Sequence, residues 1–260
     1  MWPVGSTLNR LHSFFFVVLA LSSVGFLRAE SYEVIPLPKS GTIVGYVKFP
    51  GETPRRAMYV NSVDPSCPDS IPRDNLLVKQ QVRGLKNALV VLDIVQGKAH
   101  GSRKVGVTFQ KCNEVPRVQW VPSAGSLICY SEDEADHRAM AYLDENKLFE
   151  VDLPYRKAIS RPLSREGLHR VLCARHFWEK AWIYVSPHPY VAVTDADGKF
   201  MMTQVPPGKY SIRAWHEGWE KIGEDKTGAP LYQPFAQTVN VTVRNAETTE
   251  IYFEQMSPTF

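Results

Sequence analysis

The stretch Tyr190-Val191-Ala192-Val193-Thr194-Asp195-Ala196-Asp197-Gly198-Lys199-Phe200-Met201-Met202 runs on to Val205-Pro206-Pro207-Gly208-Lys209-Tyr210-Ser211-Ile212-Arg213-Ala214, and it sets the fold class. Two β-rich runs flank Asp197-Gly198, a dipeptide that tolerates the positive φ of a hairpin turn. Pro206-Pro207 lacks the N–H groups of a ladder, so that segment is a turn and no central strand. After it, Tyr210, Ile212 and Ala214 share one face, with Ser211 and Arg213 on the other. Val239, Val241 and Val243 repeat the alternation, and Ile251-Tyr252-Phe253 closes the region. Short alternating strands separated by Pro/Gly turns predict a β-sandwich.

The same signals extend upstream. Thr42-Ile43-Val44-Gly45-Tyr46-Val47-Lys48-Phe49 is β-rich and ends at Pro50-Gly51. Ala88 to Ile94 is an apolar run of buried-strand length, and Arg117 to Val121 alternates. Ser126 to Tyr130, Leu168 to Cys173 and Ala181 to Val185 read as further strands. The best helical candidate is Asp136 to Leu148. A module boundary is expected at Pro187-His188-Pro189, and a long loop from Gly218 to Gln237 interrupts the second module.

The chain opens as an export signal: Arg10 and His12, the apolar run Phe14 to Leu21, then small residues up to Ala29. Residues 1–29 are therefore expected to be cleaved, leaving a periplasmic or secreted chain; an uncleaved anchor is the alternative. No later segment has the roughly 20 apolar residues of a membrane helix. Removal of 1–29 takes away Arg10 and Arg28 and no acid, leaving 28 basic against 27 acidic residues. That balance makes no electrostatic case for nucleic acid or anionic lipid as partner. Cys67, Cys112, Cys129 and Cys173 all lie in the mature part, and an even count in an exported chain permits two disulfides with three possible pairings.

From Cys112 to Glu217 the chain resembles bacterial exported proteins in which a cupredoxin-like domain precedes a carboxypeptidase-regulatory-like (transthyretin-like) sandwich. The matching residues are Ser131-Glu132-Asp133-Glu134-Ala135-Asp136-His137, Cys173-Ala174-Arg175-His176-Phe177-Trp178-Glu179, His188-Pro189-Tyr190, Thr194 to Phe200, Val205 to Tyr210 and Trp215-His216-Glu217. The resemblance implies an all-β chain: a cupredoxin-like Greek-key sandwich over 38–186 and a smaller prealbumin-like sandwich over 187–256. It departs from the family pattern at Ser131, where an asparagine is usual, and at Glu179, where a methionine is usual. The resemblance also implies a Cys67–Cys112 disulfide.

Blue-copper centres take two imidazoles and a thiolate, with a weak further ligand. His137, Cys173 and His176 have that layout, and Glu179 stands at the fourth position, where a hard carboxylate would lower a copper reduction potential. The competing reading is a sandwich that has lost its metal, with Cys129 and Cys173 joined as a disulfide. The expected function is a copper-binding electron carrier serving a redox partner protein. The alternative is a metal-free module that binds carbohydrate or docks a partner, with Trp215, His216 and Glu217 as its patch. The acidic run Glu132, Asp133, Glu134 and Asp136 and the loop Asp195 to Gly198 are weaker calcium candidates, better read as solvated residues and a turn. Asn240-Val241-Thr242 fits a glycosylation triplet. The sequence holds no nucleophile–base constellation, phosphate loop or HExxH motif, so no enzyme is expected.

Overall fold

The computed structural model describes residues 31–49, 51, 58–61, 64–73 and 76–259. The expected leader, residues 1–29, lies outside them. Among the described residues there are strands and no helix, and Ser31–Phe260 forms one compact unit. The principal strands, numbered along the chain, begin with β1 Gly41–Val47, β2 Leu89–Leu92, β3 Lys104–Gln110, β4 Asn113–Val115, β5 Val118–Pro122 and β6 Gly125–Ser131. They continue with β7 His137–Leu143, β8 Asn146–Leu153, β9 Ala158–Leu163, β10 Gly167–Cys173 and β11 Lys180–Ser186. The last are β12 Val191–Val193, β13 Lys199–Val205, β14 Gly208–His216, β15 Phe235–Val243 and β16 Thr248–Phe253.

The strands form two sandwiches. In one, the sheet β4-β3-β6-β9 faces the sheet β5-β11-β10-β7-β8. Its core holds Val107, Phe109, Leu127, Cys129, Ala139, Ala141, Val171, Cys173 and Ile183. In the other, the sheet β13-β1-β16 faces a sheet ordered β12-β2-β14-β15 with Ser257–Pro258 at its edge. Its core holds Ile43, Val47, Val90, Leu92, Phe200, Ile212, Val241 and Phe253.

Strand pairing groups the chain differently from a linear division at residue 187. Gly41–Val47 pairs with β13 and β16, and Leu89–Leu92 pairs with β12 and β14. The terminal sandwich thus takes strands from both sides of residues 104–186, and the other sandwich is an insertion within it. The reason is period-2 alternation on both faces. In β2, Val90 and Leu92 enter one core while Leu89 and Val91 face the neighbouring sandwich. In β11, Ala181, Ile183 and Val185 point inward while Trp182 and Tyr184 point across. Trp182 and Trp215 meet edge to face with ring centroids 5.2 Å apart.

Two expectations need correction. The Asp136 to Leu148 helix is absent: β7 and β8 pair antiparallel there, from His137↔Leu153 to Leu143↔Asn146. Ala139 and Ala141 favour a helix in isolation, but both are fully buried between facing sheets, and packing overrides propensity. The turn at Asp195 to Gly198 forms but makes no hairpin, because β12 and β13 belong to different sheets. Asp195 Oδ1 accepts the N–H groups of Asp197 and Lys199 and turns the chain from one sheet to the other. Gly198 sits at φ +73°, and a Cβ there would lie 2.4 Å from Val47 O, so only glycine fits this corner.

The sandwiches also share a buried charge network. Arg117 pairs with Glu114 and Glu217, Trp182 Nε1 donates to Glu217 Oε2 at 3.1 Å, and Lys180 Nζ lies 3.7 Å from the same oxygen. Lys180 also donates to Pro230 O at 2.9 Å, and Arg170 pairs with Asp225 at 3.0 Å. The segment expected as a loop from Gly218 to Gln237 instead holds two short antiparallel strands, Lys221–Glu224 and Pro230–Tyr232, and the start of β15; these last two bonds dock it on the insertion, where Ala229 packs against Met140 and Leu172.

Burial opposes charge on Glu217, but Arg117 and then Lys180 outweigh it and hold the carboxyl down at about 2. A depressed carboxyl stabilises the fold fully above its unfolded value near 4.5 and loses that contribution as pH falls through about 2. Glu217→Gln is expected to cost about 3–5 kcal/mol, since the buried Arg117 would lose one of its two carboxylates and Lys180 the one 3.7 Å away. Urea midpoints measured from pH 7 to pH 2 check this: the gap between wild type and variant should be constant above pH 4.5 and close below it.

Candidate metal centre

Strand register builds the candidate centre. β7 and β10 pair antiparallel with Ala139 opposite Cys173. That places His137, the first residue of β7, and Cys173, the last of β10, at one end of the insertion. The chain then turns back into β11, and the turn carries His176 and Glu179. It is closed by Glu179 N donating to His176 O at 2.8 Å and Cys173 N donating to Glu179 O at 3.2 Å.

Four donor atoms converge. Cys173 Sγ lies 3.7 Å from His137 Nδ1 and 3.8 Å from His176 Nδ1. The two Nδ1 atoms are 3.3 Å apart, and Glu179 Oε2 is 3.0 Å from the first and 3.3 Å from the second. All four side chains are buried, with Glu179 fully so. Burial disfavours charge on both imidazoles, yet contacts to Cys173 and Glu179 outweigh it and push His137 up to about 10 and His176, which also meets Asp64, up to about 11. Burial likewise raises the Cys173 thiol, but the two imidazoles more than offset it and lower its pKa. Cys129 has no imidazole beside it: burial, only partly opposed by the charge of Arg161, pushes its thiol up to about 12.

A second tier surrounds these donors. His137 Nε2 lies 3.2 Å from Asp133 Oδ2, and His176 Nε2 lies 2.9 Å from Asp64 Oδ2. Asp133 also accepts the N–H groups of Lys111, at 2.6 Å, and Cys112, at 2.8 Å. Those two residues form the two-residue β3–β4 turn at φ +52° and +53°, where Asn-Gly would be usual. Trp178 is buried over this turn and donates from Nε1 to Cys112 O at 3.0 Å. Cys112 is bonded to Cys67, with Cα atoms 5.7 Å apart, and Cys67 N donates to Asp64 O at 3.0 Å.

The structure brings together His137, Cys173, His176 and Glu179, and it bonds Cys67 to Cys112. Cys129 and Cys173 are both free and buried, so the alternative in which they form a disulfide does not hold. The acidic run does not converge on a cation: Glu132, Glu134 and Asp136 are exposed, and Asp133 turns inward to His137. Trp215, His216 and Glu217 lie at the contact between the sandwiches, with His216 and Glu217 buried. Asp64 went unread in the sequence. It lies 112 positions before His176 with no local motif, so only the fold reveals it.

No family model matches the sequence, and no curated protein does. Among solved structures, a purple cupredoxin from Nitrosopumilus maritimus aligns at 15% identity over 32% of this chain and 99% of its own, with a TM-score of 0.29. An amicyanin variant in its Cu(I) form aligns at 12% identity over 37% of this chain and 98% of its own, TM-score 0.29. A Cu-containing nitrite reductase from Thermus scotoductus aligns at 19% identity and TM-score 0.28; the match spans 34% of this chain and 24% of the reductase.

The Cys67–Cys112 bond closes a loop of 45 residues. In the chain-entropy picture such a closure stabilises by about 3–4 kcal/mol. Replacing both cysteines by serine should lower the free energy of unfolding by that amount, read from urea denaturation. No loss would show that the loop is already fixed without the bond.

Proposed function

We propose that this chain is an exported protein that holds one copper ion and carries single electrons, with His137, Cys173 and His176 as ligands and Glu179 at the fourth position. The convergence of their donor atoms in a buried pocket is the observation that carries the reading. Two imidazoles and a thiolate suit copper. The pocket also fits a cation in a second respect. Glu179 Oε1 is buried without a hydrogen-bond partner among the described residues, an arrangement that costs about 1–3 kcal/mol if nothing compensates it.

Copper bound there would supply one-electron chemistry. The protein's own part is to fix the donors on strand ends, keep water out and hold the second ring nitrogen of each imidazole. Glu179 is a hard, anionic donor in place of a thioether and favours the higher oxidation state of a bound metal. The burial of all four donor side chains supports carriage rather than catalysis. The partner we propose is a redox protein. Phe177 is 46% exposed next to His176 and offers an apolar approach to the centre. Export to the periplasm or medium accords with the disulfide. No helix among the described residues is long and apolar enough to cross a membrane. The carbohydrate-binding alternative is less well supported, because its expected patch is taken up between the sandwiches.

Titrating purified protein with Cu(II) tests the reading. One equivalent should bind and produce intense visible absorption, confirmed by metal analysis. Cys173→Ser should abolish the absorption and Cys129→Ser should leave it unchanged. Absorption that survives in Cys173→Ser, or no copper retained by the folded wild type, would overturn the proposal.

A further inference from the structure

Each imidazole of the centre has both nitrogens engaged, and in the same sense. Both Nδ1 atoms face the shared pocket, and both Nε2 atoms face a carboxylate, Asp133 for His137 and Asp64 for His176. The two carboxylates come from segments far apart in the chain, yet they are mechanically joined. Asp64 Oδ1 accepts the N–H of Ser66, at 2.8 Å, and its backbone carbonyl accepts that of Cys67; Cys67 is bonded to Cys112; and Cys112 N donates to Asp133 Oδ2. A continuous path of covalent and hydrogen bonds thus runs from one imidazole to the other around the outside of the pocket. Trp178, whose ring is tilted 37° from that of His176 with centroids 5.1 Å apart and whose Nε1 donates to Cys112 O, ties the middle of that path to the loop that carries His176.

We propose that Asp64 and Asp133 are positioning residues, braced by the Cys67–Cys112 disulfide, that hold the Nε2–H of each imidazole outward and so direct Nδ1 toward a metal ion. This rests on the metal reading above. An imidazole ligates through one nitrogen only when the other holds the proton, and a carboxylate on that other nitrogen fixes tautomer, ring orientation and basicity together. Nothing local in the sequence could align two rings from different elements to within 3.3 Å of each other; the outer carboxylates supply that alignment.

The test uses full-length protein with its disulfide intact and Zn(II) as a spectroscopically silent probe. Affinity is read by chelator competition, and the ring Nε2–H signals are read by ¹H–¹⁵N NMR with and without zinc. Asp64→Ala should weaken zinc binding about 10–100-fold. It should also remove the protected, downfield Nε2–H signal of His176 while leaving that of His137 in place. Asp133→Ala should have the opposite selectivity, and asparagine at either position, which keeps an acceptor, should recover part of the loss. General loosening of the fold would blur both rings equally, so the ring-by-ring pattern separates positioning from stability. If wild type binds zinc and Asp64→Ala matches its affinity and both ring signals, the positioning role is overturned alone. If wild type binds neither zinc nor copper, the metal reading falls and the inference falls with it.

Discussion

The antiparallel register that sets Ala139 opposite Cys173 is the constraint on which the candidate centre depends. A slip of one residue would turn every side chain of β10 to the other face. Cys173 would then point toward the neighbouring layer and away from His137, whose ring lies 5.1 Å from that of Phe109. The register is held because both faces of this sheet are buried. Ala139 and Ala141 enter one core, while Met140 and Leu172 meet Ala229 on the other side. Chemistry at one end of the sandwich is therefore fixed by packing along its whole length.

The fold class was legible in the sequence because alternation and turn residues are local signals. Tyr210, Ile212 and Ala214 alternate on β14, and Pro206-Pro207 marks the turn before it. Pairing was less legible. Nothing in Gly41–Val47 says that it lies between β13 and β16, since a strand's partner is chosen by the cores it helps to fill. The same limit explains the missing helix: Ala139 and Ala141 carry a helical preference that matters only on an unpacked segment. In the centre, the spacing of Cys173, His176 and Glu179 lies within one turn and could be read directly. The carboxylates behind the imidazoles could not: Asp133 read as one acid in a run of acids, and Asp64 carried no signal.

Charge is distributed in this molecule in two separate ways. Between the sandwiches, Arg117 and Lys180 face Glu114 and Glu217, so cations and anions balance within one buried cluster. Around the centre, Asp64 and Asp133 back the two imidazoles from outside, while Glu179 and the Cys173 sulfur face them within the pocket. The first arrangement ties the two sandwiches together; the second gathers donor atoms at one end of the insertion.

The terminal sandwich is closed by strands that stand at opposite ends of the described chain, with Thr42 beside Thr248 and Val47 beside Phe253. Bringing such distant segments together in an unfolded chain carries a loop-closure entropy on the order of 5 kcal/mol. The two sheets of residues 104–186 pair only among themselves, so their ladders can form without the terminal strands. Once they have folded, the chain ends that flank them are delivered side by side, and most of that closure has already been made. Contacts close in sequence form at lower entropic cost than distant ones, so this topology favours assembly from the inside of the sequence outward, with the insertion that carries the candidate centre bringing the two ends of the protein together.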